Sequence, residues 1–390
     1  MRPDMSNASQ RLRNGFSLID VMVGMVVGLL TMLVIMQSFA AFEGQKRTTT
    51  TGMEAQENGL IALQAMETDI RQAGYGMVTN GALACTGVNT YNNPTAPPTA
   101  PFIPIQITDG GTGSDTIVAT YSTSAIGGVP ANIVVAMPNS AAVLTVNTGN
   151  GFNAGDMLLL STPGSTLPCT RLAVTAVQGG TNTNLLHDSG LSNYNPSGGS
   201  NIFPPGGYGT SSVVFDMGTM VQNQYQVLCS SFLATSNLAL TAPGTCTSSP
   251  TTFTNATPVS GNIVNIQAQY GIAVAGSQSV NCWVNATTGN ACDAGDWTIN
   301  GLTITPANVA RIKAVRVAVV ARSSLMERPP TAGGACAATL TTTANYPQWN
   351  GGAGGTLVPI NVTGIANWQC YRYKVYQTII PLRNILWANL

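Results

Sequence analysis

The sequence predicts an α+β protein in which one long N-terminal helix precedes a large β-rich globular head. An uninterrupted apolar run lies near the N-terminus and is followed by apolar residues at three- and four-residue steps. After Met77 the apolar period changes to two, with short β-branched segments between glycine, proline and asparagine residues. We therefore divide the chain into a basic leader, an apolar helix, an amphipathic continuation of that helix and the β-rich head, at residues 1–15, 16–42, 43–76 and 77–390.

The apolar run between Phe16 and Phe42 is long enough to cross a lipid bilayer, which requires about 20 apolar residues. Asp20 is the single charged residue in this run, and no proline interrupts it. An aspartate at the centre of a membrane helix costs about 2.5 to 3.5 kcal/mol on insertion scales, and less near the interface. Asp20 therefore requires a partner or a position among the lipid headgroups.

The amphipathic continuation is predicted to present one apolar face, formed by Met53, Leu60, Leu63, Met66, Ile70 and Ala73. Gly74 and Gly76, on either side of Tyr75, predict the end of the helix. The upper half of the helix is thus expected to form a spine for the head.

Strands are predicted in the head where β-branched or alternating apolar residues lie between turn residues, at 114–121, 142–146, 157–161, 172–177, 213–215, 264–272, 314–321 and 371–379. Thr305 and Pro306 predict the start of a short helical turn through 308–313. The Pro/Thr-rich residues 92–105 and the Gly/Pro/Asn-rich residues 189–209 are predicted to be loops.

Eight cysteines lie outside the apolar run, at Cys85, Cys169, Cys229, Cys246, Cys282, Cys292, Cys336 and Cys370. An even number of cysteines in an exported chain favours disulfides, and eight of them allow 105 pairings. Short separation favours Cys229 with Cys246 and Cys282 with Cys292, and leaves the other pairings open. The chain has no CxxC pair, and its single histidine, His187, has no neighbour at ligand spacing, so no zinc site is expected.

Charged residues make up 8% of the chain, and its formal net charge is zero. Without a basic tract, the head has no electrostatic basis for binding nucleic acid or an anionic membrane surface. The sequence also contains no convincing catalytic constellation, so we expect no enzymatic activity, cofactor or metal.

A few residues are candidates for a functional role. His187 and Asp188 form a pair that a surface loop explains better than catalysis. Two aspartate pairs, Asp109 with Asp115 and Asp293 with Asp296, lack the spacing of an EF-hand calcium loop, and turn formation explains them better. Four tryptophans suggest either an adhesive patch or, more simply, core aromatics: Trp283, Trp297, Trp349 and Trp368.

Two interpretations compete for the N-terminus. An ordinary secretory signal would be cut at the small residues 38–40, so that the mature chain begins at Ala41. The apolar core of such a signal runs about 7 to 15 residues, whereas this run exceeds that length and begins immediately after Gly15. The second interpretation places the cut after Gly15, so that the leader is removed and the apolar helix is kept.

The second arrangement resembles type IV prepilins and pseudopilins. Their leader ends in glycine, and their mature chain begins with phenylalanine followed by an acidic residue, matching Gly15, Phe16 and Asp20. The resemblance implies that a prepilin peptidase cleaves after Gly15 and methylates the amine of Phe16. It also implies that the Asp20 carboxylate, where the family usually has glutamate, meets the terminal amine of a neighbouring subunit during assembly.

Further segments resemble the minor pilins of the PilW kind. They are DIRQAGY at 69–75, GSDTI at 113–117, QAQYG at 267–271, VRVAVVARS at 315–323, YRYKVY at 371–376 and PLRN at 381–384. The resemblance implies a structural subunit that helps initiate or cap a type IV pilus, with the major pilin and other minor pilins as partners. It also implies a single span of the inner membrane with a periplasmic head, followed by incorporation into a pilus at the cell surface.

Two alternatives to a minor pilin stay open from the sequence. A pseudopilin of a type II secretion system would use the same anchor in a different machine. A Sec-exported binding or enzymatic domain would discard the apolar run as a signal. The mature N-terminus, Phe16 or Ala41, separates this last alternative from the other two.

Overall fold

The computed structural model describes residues 17–79, 82–85, 87–89, 99–127, 129–165, 167–180, 182–195, 202–298, 306–327, 329, 334–336, 338–339 and 346–387. The chain divides into two compact units, Met1–Gly52 and Met53–Leu390. The first is helical wherever it is described from Leu18 onward, and the second holds the rest of that helix together with the strands.

The described helices are α1 (Leu18–Gln72), α2 (Pro306–Ala310) and α3 (Arg383–Trp387), with 3-10 turns at Ala353–Gly355 and Trp368–Cys370. The strands, in chain order, are β1 (Val78–Thr79), β2 (Ala82–Leu83), β3 (Gly87–Asn89), β4 (Thr99–Pro101), β5 (Ile105–Thr108), β6 (Thr116–Tyr121), β7 (Ala131–Asn132), β8 (Leu144–Val146), β9 (Met157–Ser161), β10 (Cys169–Ala173), β11 (Ala176–Gln178), β12 (Thr183–Leu186), β13 (Val213–Asp216), β14 (Val221–Leu228), β15 (Phe232–Asn237), β16 (Thr245–Ser248), β17 (Thr251–Thr254), β18 (Thr257–Gly261), β19 (Ile263–Ile272), β20 (Cys282–Val284), β21 (Thr288–Asn290), β22 (Asp293–Asp296), β23 (Ile312–Arg322), β24 (Gln348–Trp349), β25 (Val358–Pro359) and β26 (Tyr373–Pro381). A long helix and a strand-rich remainder agree with the predicted α+β class.

Helix α1 ends at Gln72, just before Gly74, as the sequence predicts. Gly74 adopts a positive φ of 84°, which suits a residue without a side chain just beyond a helix. Its N–H donates to the carbonyl of Thr120, at 2.9 Å. The side-chain amide of Asn384 donates to the carbonyls of Gln72 and Ala73, at 2.9 and 3.2 Å. The side chain of Asn384, in α3, thus satisfies carbonyls that the last turn of α1 leaves without an intrahelical partner.

The buried face of α1 differs from the predicted one. Leu63, Met66, Ile70 and Ala73 are buried as expected, but Met53 and Leu60 remain 66% and 51% exposed. Between Met53 and Leu63, the buried residues of the helix are small ones instead: Ala55, Gly59 and Ala62. The prediction followed the three- and four-residue spacing of apolar residues, whereas this part of the helix approaches the sheets through side chains short enough to permit close contact.

Gly59 is the closest of these approaches. A β-carbon at Gly59 would lie 2.2 Å from Cδ2 of Tyr376 on β26, well inside contact distance. We expect Gly59→Ala to destabilise the head by up to about 2 kcal/mol, because overpacking costs about 1 to 3 kcal/mol and alanine returns about 1 kcal/mol of helix propensity. Gly52→Ala is the matched control, since nothing lies within 4 Å of its β-carbon position. Thermal unfolding followed by near-ultraviolet circular dichroism should give opposite signs for the two variants, and equal effects would contradict the close contact.

The strands form three larger sheets and several small ones. Their orders are β4-β3-β10-β9-β13-β7, β18-β15-β14-β6-β5 and β20-β19-β23-β26, with a three-stranded sheet β11-β12-β8 and four two-stranded hairpins. The main core joins the buried face of α1 to residues from all three larger sheets. A second core lies within residues 131–214, around Leu158, Leu160 and Val214.

The four-stranded sheet contains the long buried strand that the sequence predicts. In β23, the sequence AVRVAVVA at 314–321 is buried at every position. Val315, Val317 and Val319 join the main core. Ala318 and Val320 join a separate cluster with Trp349, Ile360 and Val362, so a loop segment covers the other face of the sheet.

Most predicted strands coincide with observed ones, and three local predictions need correction. Residues 172–177 do not form one strand, because β10 ends at Ala173 and β11 begins at Ala176. Residues 99–101, placed in a loop, form β4, whereas 90–98 lie outside the described residues. The helical turn begins at Pro306 as expected but ends at Ala310, because Ile312 and Lys313 already belong to β23.

All eight cysteines are paired in the structure. Cys229–Cys246 and Cys282–Cys292 are the two short-range pairs that sequence separation favours. Cys336–Cys370 and Cys85–Cys169 span 34 and 84 residues of sequence. Three disulfides therefore link cysteines that are close in sequence. Cys85–Cys169 instead links the segment between β2 and β3 to β10 of the six-stranded sheet.

Candidate functional site

Asp20 lies in the first turn of α1, where it caps the helix. One carboxylate oxygen accepts the backbone N–H of Ser17 at 3.3 Å, and the Ser17 hydroxyl accepts the N–H of Ile19 at 3.3 Å. These contacts are similar to a capping box, with aspartate in place of the usual glutamate and with the Ser17 hydroxyl accepting the N–H of the second helical residue instead of the third. The prepilin motif does not include Ser17, although its S-x-x-D spacing with Asp20 is a local signal for this cap. Gly15 and Phe16, the predicted processing residues, lie outside the described residues.

Within the part of the chain that the structure describes, nothing covers the apolar part of α1. Every residue from Ser17 to Lys46 is exposed. The hydroxyls of Thr31 and Ser38 donate to helix carbonyls, Thr31 to Val27 at 2.6 Å and Ser38 to Val34 at 2.9 Å. Such internal pairing suits a helix in lipid, where water cannot satisfy polar groups. Among the described residues this is the one helix long and apolar enough to cross a membrane.

Asp69 connects α1 to the five-stranded sheet. Its carboxylate accepts hydrogen bonds from the Tyr121 hydroxyl at 2.9 Å, the Tyr225 hydroxyl at 2.7 Å and the Asn223 side-chain amide at 2.7 Å. Burial, together with the neighbouring Asp69 charge, raises the pKa of both tyrosines, so they remain protonated donors at neutral pH. The helix-end segment that resembled pilins therefore holds a buried charge with three donors.

Asp115 connects two further segments of the resemblance, GSDTI and QAQYG. Its carboxylate accepts the N–H of Gly110 at 2.9 Å and the N–H of Ala268 at 2.7 Å. The Asp115 N–H donates to the carbonyl of Ile266, at 2.8 Å. Burial raises the pKa of Asp115 to about 6, and the charge of Asp109 adds to the rise, while the two backbone N–H groups oppose it.

This pKa predicts that Asp115 makes the head less stable as pH rises. The unfolded chain ionises Asp115 near its ordinary pKa of 3.8, whereas the folded chain holds the proton up to about 6. The contribution is therefore fully present below pH 3.8 and falls by about 3 kcal/mol as pH rises through 6. The difference in unfolding free energy between wild type and Asp115→Asn should show this fall between pH 4 and pH 7, measured by urea unfolding. A smaller fall should persist in an Asp109→Asn background, because burial is the larger cause of the raised pKa, and a difference independent of pH would contradict the prediction.

The remaining candidates have structural contacts. Asp293 forms an ion pair with Arg311, with 2.5 Å between Oδ2 and the guanidinium nitrogen, and this contact lowers the pKa of Asp293. Nε2 of His187 lies 3.1 Å from the carbonyl oxygen of Ala142, and the Asp188 carboxylate accepts the Thr175 hydroxyl at 2.7 Å. Across the described residues, no three histidine, cysteine or acidic side chains group in a way that could hold a metal.

The tryptophans divide between the core and the surface. Trp297 and Trp349 are buried, at 2% and 4% exposure, whereas Trp283 and Trp368 are half-buried. The prediction of core aromatics is therefore confirmed for Trp297 and Trp349, and the four residues do not form one exposed patch.

Comparison with known proteins relates part of the head to one family. Residues 222–384 match the family model for type IV pilus-assembly protein W, PilW. The matched region begins within β14, contains the whole four-stranded sheet and ends in α3. No curated protein and no solved structure matches the chain. The match associates this protein with type IV pilus assembly.

Proposed function

We propose that this type IV pilus-related protein is a minor pilin, a structural subunit that helps initiate or cap pilus assembly. In this role the leader 1–15 is removed by a prepilin peptidase, the apolar helix holds the chain in the inner membrane, and the head lies in the periplasm. The chain then joins the major pilin and other minor pilins at the base or tip of the filament. The head serves as a structural module without enzymatic activity.

One observation carries the proposal: the exposed apolar segment is continuous with the helix turns that lie in the core of the head. α1 runs unbroken from Leu18 to Gln72, and Met66 and Ile70 in its last turns are fully buried. Removal of the apolar segment as a secretory signal would cut this same helix. Retention instead leaves an apolar surface that lipid covers before assembly and neighbouring helices cover in a filament.

The role of Asp20 in assembly rests on its place near the predicted mature N-terminus. Among the described residues, its carboxylate accepts a long hydrogen bond from the N–H of Ser17, at 3.3 Å. In a filament the amine of a neighbouring Phe16 offers a positive charge, and the low dielectric between packed helices strengthens their attraction. The PilW match favours a pilus over a secretion machine for this assembly.

Mass spectrometry of the mature chain tests the processing step. A chain that begins at Phe16 and carries one added methyl group is expected, and replacing Gly15 by a bulky residue should leave the precursor uncut in the membrane. A mature chain that begins at Ala41 would contradict the proposal and favour a discarded signal.

Variants of Asp20 test the assembly step. Asp20→Asn is expected to be inserted and cleaved normally yet to enter pili poorly, whereas Asp20→Glu should enter at least as well as wild type. Ser17→Ala is the matched control, because it breaks the capping box and keeps the Asp20 charge. The measurement is the amount of each cleaved variant recovered with sheared pili or with partner minor pilins, at matched membrane levels. Equal recovery of Asp20→Asn, or equal losses for Asp20→Asn and Ser17→Ala, would contradict charge pairing.

A further inference from the structure

A polar cavity of about 530 Å³ opens beside β19 and β20 of the four-stranded sheet. This volume lies in the range of small-molecule sites, which is about 300 to 1,000 Å³. The wall combines side chains of both strands with the turn at 109–115 and the loop that begins at Trp349. The cavity plays no part in the proposed assembly role, which concerns the N-terminal helix.

Two tryptophan rings line the cavity, and two glycines make room for them. A β-carbon at Gly351 would lie 2.2 Å from Cε2 of Trp349, and one at Gly271 would lie 2.8 Å from Cζ3 of Trp283. The Arg316 guanidinium carbon lies 4.8 Å from the ring centre of Trp283 and 5.5 Å from that of Trp349. The backbone and one buried cation therefore fix both rings without a ligand.

Hydrogen bonds hold the amide groups of the wall in place. Gln269 accepts a hydrogen bond from Arg316 and donates to the Asn285 side chain and to the Gly351 carbonyl, at 2.7 Å each. Asn290 accepts the Asn285 N–H at 2.8 Å and donates to its carbonyl at 3.2 Å. Because internal hydrogen bonds already orient these amides, ligand binding would cost little conformational entropy in the wall.

The chemistry of the wall selects a neutral ligand rich in hydroxyl groups. Two carboxylates, Asp109 and Asp115, face the cavity, and none of the described lining residues is a lysine or arginine, which disfavours phosphate or sulfate. The amide N–H groups of Gln267, Gln269 and Asn290 already donate within the protein, so the wall offers mainly acceptor oxygens, to which the hydroxyl groups of a ligand can donate. The negatively polarised faces of tryptophan rings attract the C–H faces of sugar rings, which carry a partial positive charge.

We propose that this cavity binds a short neutral carbohydrate. Trp283 supplies the half-buried aromatic face against a sugar ring, and the side-chain oxygens of Gln267 and Asn290 accept hydrogen bonds from its hydroxyl groups. Asp109 at the adjoining turn contributes an acceptor. The inference does not depend on the proposed role in pili. Carbohydrate binding is measured on the purified chain, whereas the assembly role is tested by the recovery of variants with sheared pili.

Titration of the purified full-length chain with sugars tests this proposal. The protein is held in a detergent without a sugar headgroup, since maltoside or glucoside detergents would occupy the cavity. The probes are glucose, galactose, mannose, N-acetylglucosamine, maltose, cellobiose and lactose, followed by tryptophan fluorescence and isothermal titration calorimetry. We expect saturable binding at one site per chain for at least one of these sugars.

Two variants and a matched tryptophan control make the test specific. Trp283→Ala should weaken binding about tenfold or more, because the stacking face is lost. Gln267→Leu keeps the side-chain size, removes the amide and should weaken binding about fivefold. Trp368→Ala removes a half-buried tryptophan outside the cavity wall and should leave the affinity unchanged. Near-ultraviolet circular dichroism of each variant establishes that the head is folded.

Each outcome of the titrations either supports or overturns the proposal. Loss of binding in Trp283→Ala or Gln267→Leu, with retention in Trp368→Ala, supports the carbohydrate site. If Trp283→Ala does not fold, Gln267→Leu decides alone. No saturable binding of any sugar, unchanged affinity in the folded cavity variants, or an equal loss in Trp368→Ala would overturn the proposal.

Discussion

Replacing Cys85 and Cys169 together by alanine is expected to lower the unfolding free energy of the head by about 4 to 5 kcal/mol. In the loop-entropy model, a cross-link stabilises by restricting the unfolded chain, and the effect grows with the length of chain it closes. This disulfide spans 84 residues, and both of its cysteines are buried, at 4% and 1% exposure. Cys169 also lies opposite Val88 in the parallel pairing of β10 with β3, so the bond secures a contact between distant segments.

The Cys282–Cys292 disulfide provides the comparison. It closes a separation of only 10 residues, for which the same relation gives about 2.5 to 3 kcal/mol. Guanidinium unfolding of the full-length chain, followed by tryptophan fluorescence, should rank the Cys85→Ala/Cys169→Ala variant below the Cys282→Ala/Cys292→Ala variant. Thiol labelling of exported wild-type protein should find the cysteines oxidised. Four or more labelled cysteines, or the reverse order of stability, would contradict the expectation.

Asp69→Ala is expected to destabilise the head by about 3 to 5 kcal/mol. The substitution leaves the hydroxyls of Tyr121 and Tyr225 and the amide of Asn223 without the carboxylate that accepts them. Buried hydrogen bonds to a charged group contribute about 1.5 to 3 kcal/mol each, and stranded buried donors add a desolvation cost. Because the energies of a shared network do not add, the expected loss is not taken as the sum of three bonds.

Glu67→Ala is the matched control for this prediction. Glu67 is an acidic residue on the same helix, but it pairs with Arg71 at the surface. An exposed pair at this spacing contributes about 0.3 to 0.5 kcal/mol, so the control should unfold almost as wild type does. Both variants are compared by thermal and guanidinium unfolding. A loss below about 1 kcal/mol for Asp69→Ala would show that the network does not hold the helix to the sheet.

The sequence by itself determined the elements whose signals are local. Apolar length and three- to four-residue periodicity predicted α1, and Gly74 predicted its end because few other residues tolerate that backbone conformation. Alternation of apolar residues predicted β19 and β26, and the nearly uncharged apolar run at 314–321 predicted β23 as a mostly buried strand. The two short-range disulfides also follow from separation along the chain. Processing at Gly15 and Phe16 and the pairing of Asp20 stay predictions.

Only the tertiary structure decided which residues meet across the chain. Asp69 lies 156 positions before Tyr225, and Asp115 lies 153 before Ala268, so no local pattern marks either pair. The same holds for Gly59 and the ring of Tyr376 beside it, which no local pattern connects. The physical reason is that periodicity reports which side of an element is apolar. The identity of the opposing group depends on how distant segments fold together, and that information is not contained in any short stretch of sequence.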